Sequence, residues 1–290
     1  MHQLVFFHLL LVHQNNISVE LERIARTAQG RVGVAACIYE AGSAGDVSGL
    51  RMDERFPMQS VYKVPIAMAV LNRVDKGVIG IEAKATISPE DIVPVPIHSP
   101  LRDKYPHGGY TTVRELIRYA IVESDGTASD VLLRTLGGCD KAQEYVQSLG
   151  ITGMAIATTE KEMARSEDVQ YRNYATPRST VTLLRLLLSG KALSPKSRAL
   201  LLRFMTETRT GPRRIKGLLP SGARVAHKTG SSGTSGGLTR ATNDSGIITL
   251  PNGQRLILAV FITDSRAGEA ERDRVIAESA RAMWSLHERK

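Results

Sequence analysis

The chain has 290 residues, 42% of them hydrophobic, which is enough for about two globular domains with sizeable cores. Its 25 Gly and 12 Pro residues are close to ordinary usage and no segment repeats, so collagen-like, low-complexity and solenoid architectures are excluded. The formal net charge of +9 suits an anionic substrate or surface, but basic residues form no long run and aromatic residues make up only 5%, so no nucleic-acid partner is expected.

Residues 1–16 begin with an apolar stretch that ends at Val12. The stretch is shorter than the roughly 20 residues of a membrane span and has the length of the hydrophobic part of a signal peptide. The usual basic segment is missing in front of it, and no A-x-A-like cleavage site precedes Ile17. We interpret residues 1–16 as a truncated or damaged signal segment and expect no stable membrane anchor.

Strand signals lie at both ends of the chain. An apolar, β-branched run over residues 32–39 is followed, across a glycine-rich loop, by a hairpin partner at 46–51. Near the C-terminus a strand is predicted at 224–228. Two more, at 247–250 and 255–263, flank an Asn-Gly turn, which is a strong hairpin signal.

The segment between these strands is helical in character, and a last helix with Ile276, Ala280 and Met283 on one face closes the chain. Because strands from both ends must pair, we predict a five-stranded antiparallel sheet flanked by helices, plus an inserted all-helical domain. The α/β domain would comprise 17–55 and 210–290, and the inserted domain 56–209. Within the inserted domain, helices are predicted at 61–74, 113–121, 139–149, 181–188 and 197–205, with Thr176-Pro177 and Ser194-Pro195 as helix starts.

Neither the cysteines nor the histidines form a metal-binding pattern. Cys37 and Cys139 lie far apart and match no CxxC or Cys/His spacing, and no HExxH motif occurs. We expect two buried thiols, whose pairing in an oxidising compartment the sequence leaves open. No metal ion or other cofactor is expected.

Three short motifs indicate chemistry. Ser60 and Lys63 are one helical turn apart, so the lysine can activate the serine hydroxyl, and a helix start at Ser60 aims backbone N–H groups at a developing oxyanion. Ser124-Asp125-Gly126 is expected to begin a loop, and Lys228-Thr229-Gly230 ends a predicted strand. Each of these motifs alone is common in unrelated sequences by chance. Together and in this order they are the signature of class A β-lactamases and penicillin-binding proteins.

The sequence resembles the class A serine β-lactamases from about Ile17 to its end, and more narrowly their PER and VEB type extended-spectrum branch. The resemblance implies an α/β two-domain serine β-lactamase/penicillin-binding fold. It also implies hydrolysis of penicillins and cephalosporins through a serine acyl-enzyme, with extended-spectrum cephalosporin activity. The segments that carry it are Pro57-Met-Gln-Ser-Val-Tyr-Lys63, Glu160-Lys-Glu-Met163, Gln170-Tyr-Arg-Asn173, His227-Lys-Thr-Gly230 and the stretch 241–253.

The resemblance also assigns roles to residues. Ser60 is the nucleophile, and either Lys63 or, through a water, Glu160 takes its proton, an alternative that the sequence leaves open. Glu160 activates the hydrolytic water, although without the resemblance it would pass for a solvated surface charge. Ser124 passes a proton to the lactam nitrogen, kept acidic by Lys63 and Lys228. The implied oxyanion donors are the backbone N–H groups of Ser60 and Ser231, and the implied substrate contacts are Lys228, Thr229, Gly230, Ser231, Arg214 and, at the cleft entrance, His98.

Several positions depart from the usual family pattern. Gly126 stands where an Asn amide usually holds the substrate's side-chain carbonyl, so a hydrogen-bond donor is lost. Ala164 stands where an Asn, or a His in the PER branch, usually helps to hold the hydrolytic water, so slower deacylation is expected. Asp130 replaces the Asn of most class A enzymes, as in the PER and VEB branch, and implies a differently folded loop around Glu160 with a wider cleft. Arg214 fits the family's carboxylate-binding arginine, with an ordinary surface residue as the alternative.

Two other functions share the motifs. One is a penicillin-binding D,D-peptidase, but that class lacks the Glu160 element. The other is a non-hydrolytic β-lactam sensor that stays acylated, a function suggested by the missing side chains at Gly126 and Ala164. We expect a bacterial hydrolase, periplasmic or secreted and monomeric, whose partners are β-lactam antibiotics.

Overall fold

A computed structural model describes residues 17–41 and 46–288. The predicted signal segment at 1–16 and the glycine-rich loop at 42–45 lie outside the described residues. The strands, in chain order, are β1 (Arg31–Tyr39), β2 (Ser48–Leu50), β3 (Phe56–Pro57), β4 (Lys84–Ile87), β5 (Gly109–Thr112), β6 (Met154–Ala155), β7 (Tyr174–Ala175), β8 (Arg224–Ser231), β9 (Thr234–Ser235), β10 (Leu238–Thr239), β11 (Thr242–Thr249) and β12 (Arg255–Thr263). The α-helices are α1 (17–25), α2 (Lys63–Asp75), α3 (Pro100–Lys104), α4 (Val113–Val122), α5 (Gly126–Leu136), α6 (Cys139–Ser148), α7 (Glu160–Met163), α8 (Pro177–Ser189), α9 (Pro195–Thr206) and α10 (Glu269–Glu288).

The main sheet joins the two ends of the chain, as the sequence predicts. Its five strands run in the order β2-β1-β12-β11-β8, all antiparallel. The Asn-Gly hairpin connects β11 to β12, and β8 is an edge strand. β8 and β11 are longer than predicted, because their pairing continues to Ser231 opposite Thr242. The residues added there are polar, so apolar patterning does not mark them as strand.

Helices cover both faces of this sheet. Side chains of β1 alternate, so that Val32 and Val34 pack toward α10 while Ala35 and Cys37 join the core of the helical block. The predicted stripe Ile276, Ala280 and Met283 on α10 is buried against the first face. On the other face α8 contacts β1 and β12. The sheet is therefore a middle layer, and its edge strand β8 faces the helical block.

Sequence patterns predict five of the helices in the block, α2, α4, α6, α8 and α9, and miss three, α3, α5 and α7. α8 and α9 begin at the expected proline starts, with Thr176 and Ser194 accepting hydrogen bonds from the first-turn N–H of Ser179 and Ser197. The longest missed helix is α5, where a loop was expected to follow Ser124. Asp125 instead caps α5 by accepting a hydrogen bond of 2.7 Å from the N–H of Ala128, so the expected loop is only a tight connection between α4 and α5.

Other expectations concern cysteines, metals and domains. Cys37 is a buried free thiol, and Cys139 is a free thiol that is only half-buried. Within residues 17–41 and 46–288, no helix has the length and apolar character needed to cross a membrane, and no cluster of His, Cys, Asp and Glu suitable for a metal ion occurs. The predicted inserted domain also contains short strands, among them β4 paired with β5. Its boundaries at 56 and 209 stay a prediction.

Candidate active site

A cleft of about 630 Å³ lies where edge strand β8 meets the helical block. The structure brings together there most of the residues that the sequence singled out. They come from the turn that leads into α2, the first residue of α2, the segment before α3, the α4–α5 connection, α7, the segment before β8, and β8 itself. The predicted residues that line the cleft are Ser60, Lys63, His98, Ser124, Glu160, Arg214, Thr229 and Ser231.

Ser60 lies in a 3₁₀ turn, Gln59–Tyr62, that leads directly into α2. Gln59 has a φ of 47°, a left-handed conformation that is uncommon for a side-chain-bearing residue. The turn is held from outside, because the buried side-chain amide of Asn243 donates to the carbonyls of Pro57 and Met58, at 2.8 and 3.1 Å. The serine is therefore presented at a helix start on a fixed backbone.

Lys63 connects three elements of the site. Its Nζ donates to the Ser60 hydroxyl at 2.9 Å and to the Ser124 carbonyl at 2.7 Å. Its Nζ also lies 2.8 Å from Oε1 of Glu160. The Lys63 side chain is only 2% exposed, so these three contacts replace its lost hydration. The predicted pairing of Ser60 with Lys63 is confirmed as geometry, and Glu160 is part of the same cluster.

Ser124 and Lys228 form a second contact across the cleft. Nζ of Lys228 donates to the Ser124 hydroxyl at 2.7 Å and to the Thr229 carbonyl at 3.0 Å. Complete burial, together with the nearby Lys63 charge, holds the pKa of Lys228 well below its usual range. Ser124 itself has a φ of 60°, so its backbone is in a strained conformation of the kind that clusters at functional sites.

Glu160 is the first residue of α7, and Asp130 of α5 fixes it there. The two Asp130 oxygens accept hydrogen bonds from the backbone N–H groups of Glu160, at 2.8 Å, and Lys161, at 3.1 Å. Burial, with the Glu160 charge beside it, raises the pKa of Asp130 to about 7. Glu160 is buried and paired with Lys63, so the alternative of a solvated surface charge is wrong.

Glu162 lies in the same acidic cluster but faces a different partner. Its carboxylate accepts a hydrogen bond of 2.9 Å from the N–H of Thr159, whose hydroxyl accepts one from Glu162 N, a capping box at the start of α7. The two neighbouring glutamates therefore differ: one contacts the reactive cluster, and the other closes the end of its own helix.

Arg214 lies at the β8 end of the cleft, and its side chain is only 7% exposed. Nε donates to the Asp273 carboxylate at 2.8 Å, and a terminal nitrogen donates to the Ser231 hydroxyl, also at 2.8 Å. The alternative of an ordinary surface arginine is therefore wrong. Arg214, Thr229 and the exposed Ser231 together place hydrogen-bond donors suited to an anion at this end of the cleft.

Gly230 allows β8 to approach the turn that carries Ser60. A Cβ at this position would lie 2.4 Å from the Met58 carbonyl oxygen and 3.3 Å from the Ser60 nitrogen. A side chain at 230 would therefore separate the backbones of Ser60 and Ser231, whose N–H groups are the expected oxyanion donors. Gly230 is one of the implied substrate contacts, and in the structure it also lets β8 pack closely against the protein's own turn.

Sequence reasoning gave no role to the side chains that join the far wall of the cleft. Gln59 donates to Gln170 at 2.5 Å, Gln170 donates to Glu167 at 3.0 Å, and Arg240 lies 2.7 Å from the same Glu167 carboxylate. These contacts link the residue before Ser60 to the segment after α7 and to the connection between β10 and β11. Gln59 and Gln170 belong to the segments that carry the family resemblance, but no spacing rule marks them as partners.

Comparison with known proteins gives a consistent result. The Beta-lactamase enzyme family matches residues 16–286. The chain is 37% identical over 275 residues to Beta-lactamase VEB-1 of Pseudomonas aeruginosa, covering 94% of this chain and 91% of that protein. It is 37% identical over 238 residues to Extended-spectrum beta-lactamase PER-1 of the same organism, covering 82% and 77%.

Solved structures agree with these sequence matches. The crystal structure of TLA-1 extended spectrum beta-lactamase has a TM-score of 0.91 and 38% identity, covering 95% of this chain and 99% of that one. A beta-lactamase from Chitinophaga pinensis has a TM-score of 0.89 and 44% identity, covering 93% and 98%.

Proposed function

Since the chain belongs to the class A serine β-lactamases, we propose that it hydrolyses penicillins and cephalosporins, extended-spectrum cephalosporins included, through an acyl-enzyme on Ser60. The observation that carries this proposal is the position of one lysine. Nζ of Lys63 lies 2.9 Å from the Ser60 hydroxyl and 2.8 Å from the Glu160 carboxylate, so nucleophile, amine and carboxylate form one buried cluster.

Acylation begins when Ser60 Oγ attacks the lactam carbonyl carbon and gives up its proton. Two groups compete for that proton: Lys63 directly, or Glu160 through a water. The direct contact of 2.9 Å supports Lys63, because proton transfer needs hydrogen-bond distance between donor and acceptor. Lys63 accepts the proton as a neutral amine and returns it to the Ser124 hydroxyl after Ser124 has protonated the lactam nitrogen. The carbonyl oxygen becomes an oxyanion facing the N–H groups of Ser60 and Ser231. Each such donor typically lowers the activation barrier by about 3 kcal/mol.

The C–N bond of the lactam then breaks, and its nitrogen needs a proton. Ser124 is assigned as the donor, because its hydroxyl lies within the cleft and 2.7 Å from Nζ of Lys228. A hydroxyl that accepts a hydrogen bond from an ammonium group gives up its own proton more readily. Lys63 donates to the Ser124 carbonyl and so holds the strained turn in place.

Deacylation is assigned to Glu160. After acylation the carboxylate accepts a proton from a water, whose oxygen attacks the ester carbon. The bond between that carbon and Ser60 Oγ then breaks, and Oγ takes the proton back from Glu160. Asp130 holds the backbone of Glu160 at the start of α7, and this supports a fixed position for the carboxylate. Ala164, exposed in the cleft, offers no polar side chain to that water, which supports slower deacylation than the family norm.

The substrate carboxylate is assigned to Arg214, Thr229 and Ser231, with Lys228 buried behind them. These groups carry positive charge or hydrogen-bond donors at one end of the cleft. The formal net charge of +9 adds long-range attraction for an anionic substrate. His98, exposed at the rim, is assigned to the cleft entrance. The class A family is bacterial and typically secreted, and we assign this chain to the periplasm or to secretion as a monomer.

Burst kinetics with a penicillin tests the proposal. A hydrolase gives a steady release of product long after one equivalent per enzyme. Consumption of one equivalent of penicillin per enzyme, with no product released and no further turnover, would instead identify a non-hydrolytic sensor. A D,D-peptidase would also release D-alanine from an acyl-D-Ala-D-Ala peptide, and the proposed hydrolase is expected to leave that peptide intact.

A further inference from the structure

The space beside Gly126 is filled by another side chain. A Cβ built on Gly126 would lie 2.8 Å from the Cγ2 methyl of Ile97 and 3.3 Å from Cγ2 of Val93. Carbon atoms in favourable contact are about 3.5–4.0 Å apart, so the first of these distances is an overlap. Gly126 is the first residue of α5 and is helical, a conformation open to every residue. Glycine is therefore required here by space and not by backbone conformation.

The backbone that carries Ile97 is held in place. Its carbonyl accepts a hydrogen bond of 2.8 Å from Arg102, and its N–H donates to the Pro94 carbonyl at 3.0 Å. Two residues on, the hydroxyl of Ser99 donates to the buried Asp125 carboxylate at 3.0 Å, beside Gly126 itself. Because these bonds tie the segment to the start of α5, Ile97 cannot easily withdraw to admit a larger residue at 126.

Ile97 also lines the cleft, in the wall that contains Ser124. A polar amide at position 126 would offer substrate a hydrogen-bond donor in this wall, whereas an isoleucine offers only apolar surface. Building on the proposed function, we infer that Ile97 determines specificity: it takes the space of the missing side chain and gives the cleft an apolar wall beside Ser124. An acylamino carbonyl on the substrate then adds little to kcat/KM.

This inference makes Gly126 and Ile97 a coupled pair. Gly126→Asn alone is expected to be harmful, because its Cβ meets Ile97, even though it supplies an amide. Ile97→Ala removes the Cγ2 methyl and makes room, so the amide becomes useful only in the double variant. Ile97→Val is the matched control, since valine keeps both γ carbons and therefore keeps the overlap.

The experiment compares the wild type with Gly126→Asn alone and with Gly126→Asn combined with Ile97→Ala or Ile97→Val. Thermal unfolding is measured first: Gly126→Asn should lower the midpoint by about 2–4 °C, Ile97→Ala should largely restore it, and Ile97→Val should not. Values of kcat/KM follow for benzylpenicillin, which has an acylamino carbonyl, and for 6-aminopenicillanic acid, which has none. The double variant with alanine should exceed the wild type by about fivefold for benzylpenicillin only, the effect of one hydrogen bond.

The inference is overturned if Gly126→Asn alone is as stable as the wild type and more active on benzylpenicillin. It is also overturned if alanine and valine at 97 rescue equally, or if both substrates gain equally. Failure of the proposed function looks different: no variant would turn over either substrate, while the unfolding midpoints would still report whether Ile97 and Gly126 are coupled.

Discussion

Replacing Glu160 by glutamine is the sharpest test of how the acyl-enzyme is cleared. The change removes a negative charge and a proton acceptor but preserves the size of the side chain. The backbone N–H of residue 160 keeps its hydrogen bond to Asp130, so α7 is expected to keep its position. Lys63 keeps its contacts with the Ser60 hydroxyl and the Ser124 carbonyl. Nucleophile, oxyanion donors and proton donor all remain, so acylation continues.

The size of the effect follows from the role assigned to the carboxylate. General-base catalysis typically contributes about 10²- to 10⁴-fold, or about 3–5 kcal/mol of barrier. Only the hydrolytic step loses this contribution in Glu160→Gln. Steady-state turnover is therefore expected to fall by about 10²-fold or more, with the adduct becoming the major species.

Intact-protein mass spectrometry within minutes of mixing with benzylpenicillin detects the adduct, and a spectrophotometric assay gives the turnover. Glu162→Gln is the matched control, because it removes the same charge two residues away. Glutamine also serves in a capping box, so this variant should keep the start of α7. Its turnover should stay close to that of the wild type, with no lasting adduct.

Equal loss of turnover in both variants would mean that the charge of the cluster matters and not a positioned base. Loss of turnover in Glu160→Gln without any adduct would place Glu160 in acylation. Either result would refute the deacylation role.

Other substitutions test the remaining assignments. Ser60→Ala should abolish hydrolysis and adduct formation without lowering the unfolding midpoint, and residual turnover would remove Ser60 as nucleophile. Because the pKa of Lys228 is lowered, kcat/KM should fall on the alkaline side as this lysine loses its charge. Lys228→Arg should keep its activity to higher pH, and superimposable pH profiles of the variant and the wild type would contradict this. Arg214→Ala leaves Asp273 with only the longer contact to Arg213, so it should cost about 3 kcal/mol in chemical denaturation and raise KM more than it lowers kcat. With a pKa of about 7, Asp130 binds a proton in the folded state that the unfolded chain has released above pH about 4. Stability is then lost as pH rises from about 4 through 7, so the unfolding midpoint of Asp130→Asn relative to the wild type should rise between pH 5 and 8, and a constant difference would refute the raised pKa.

The sequence by itself determined the sheet and the core of the chemistry. Two apolar runs that flank an Asn-Gly turn predicted the hairpin of β11 and β12, and proline starts predicted α8 and α9, since these signals are local. The spacing of Ser60 and Lys63 within one turn likewise gave their contact. Local geometry fixes such pairs before any packing occurs.

Only the tertiary structure decided how distant segments complete the site. Three contacts join elements that are far apart in the chain: the buried ion pair of Arg214 with Asp273, the hydrogen bond from Glu160 to Asp130, and the packing of Ile97 against Gly126. Burial, pKa and steric room depend on what packs around a residue and not on its neighbours in sequence. For that reason the sequence shows Gly126 only as a missing hydrogen-bond donor, whereas the fold shows that this glycine leaves room for Ile97.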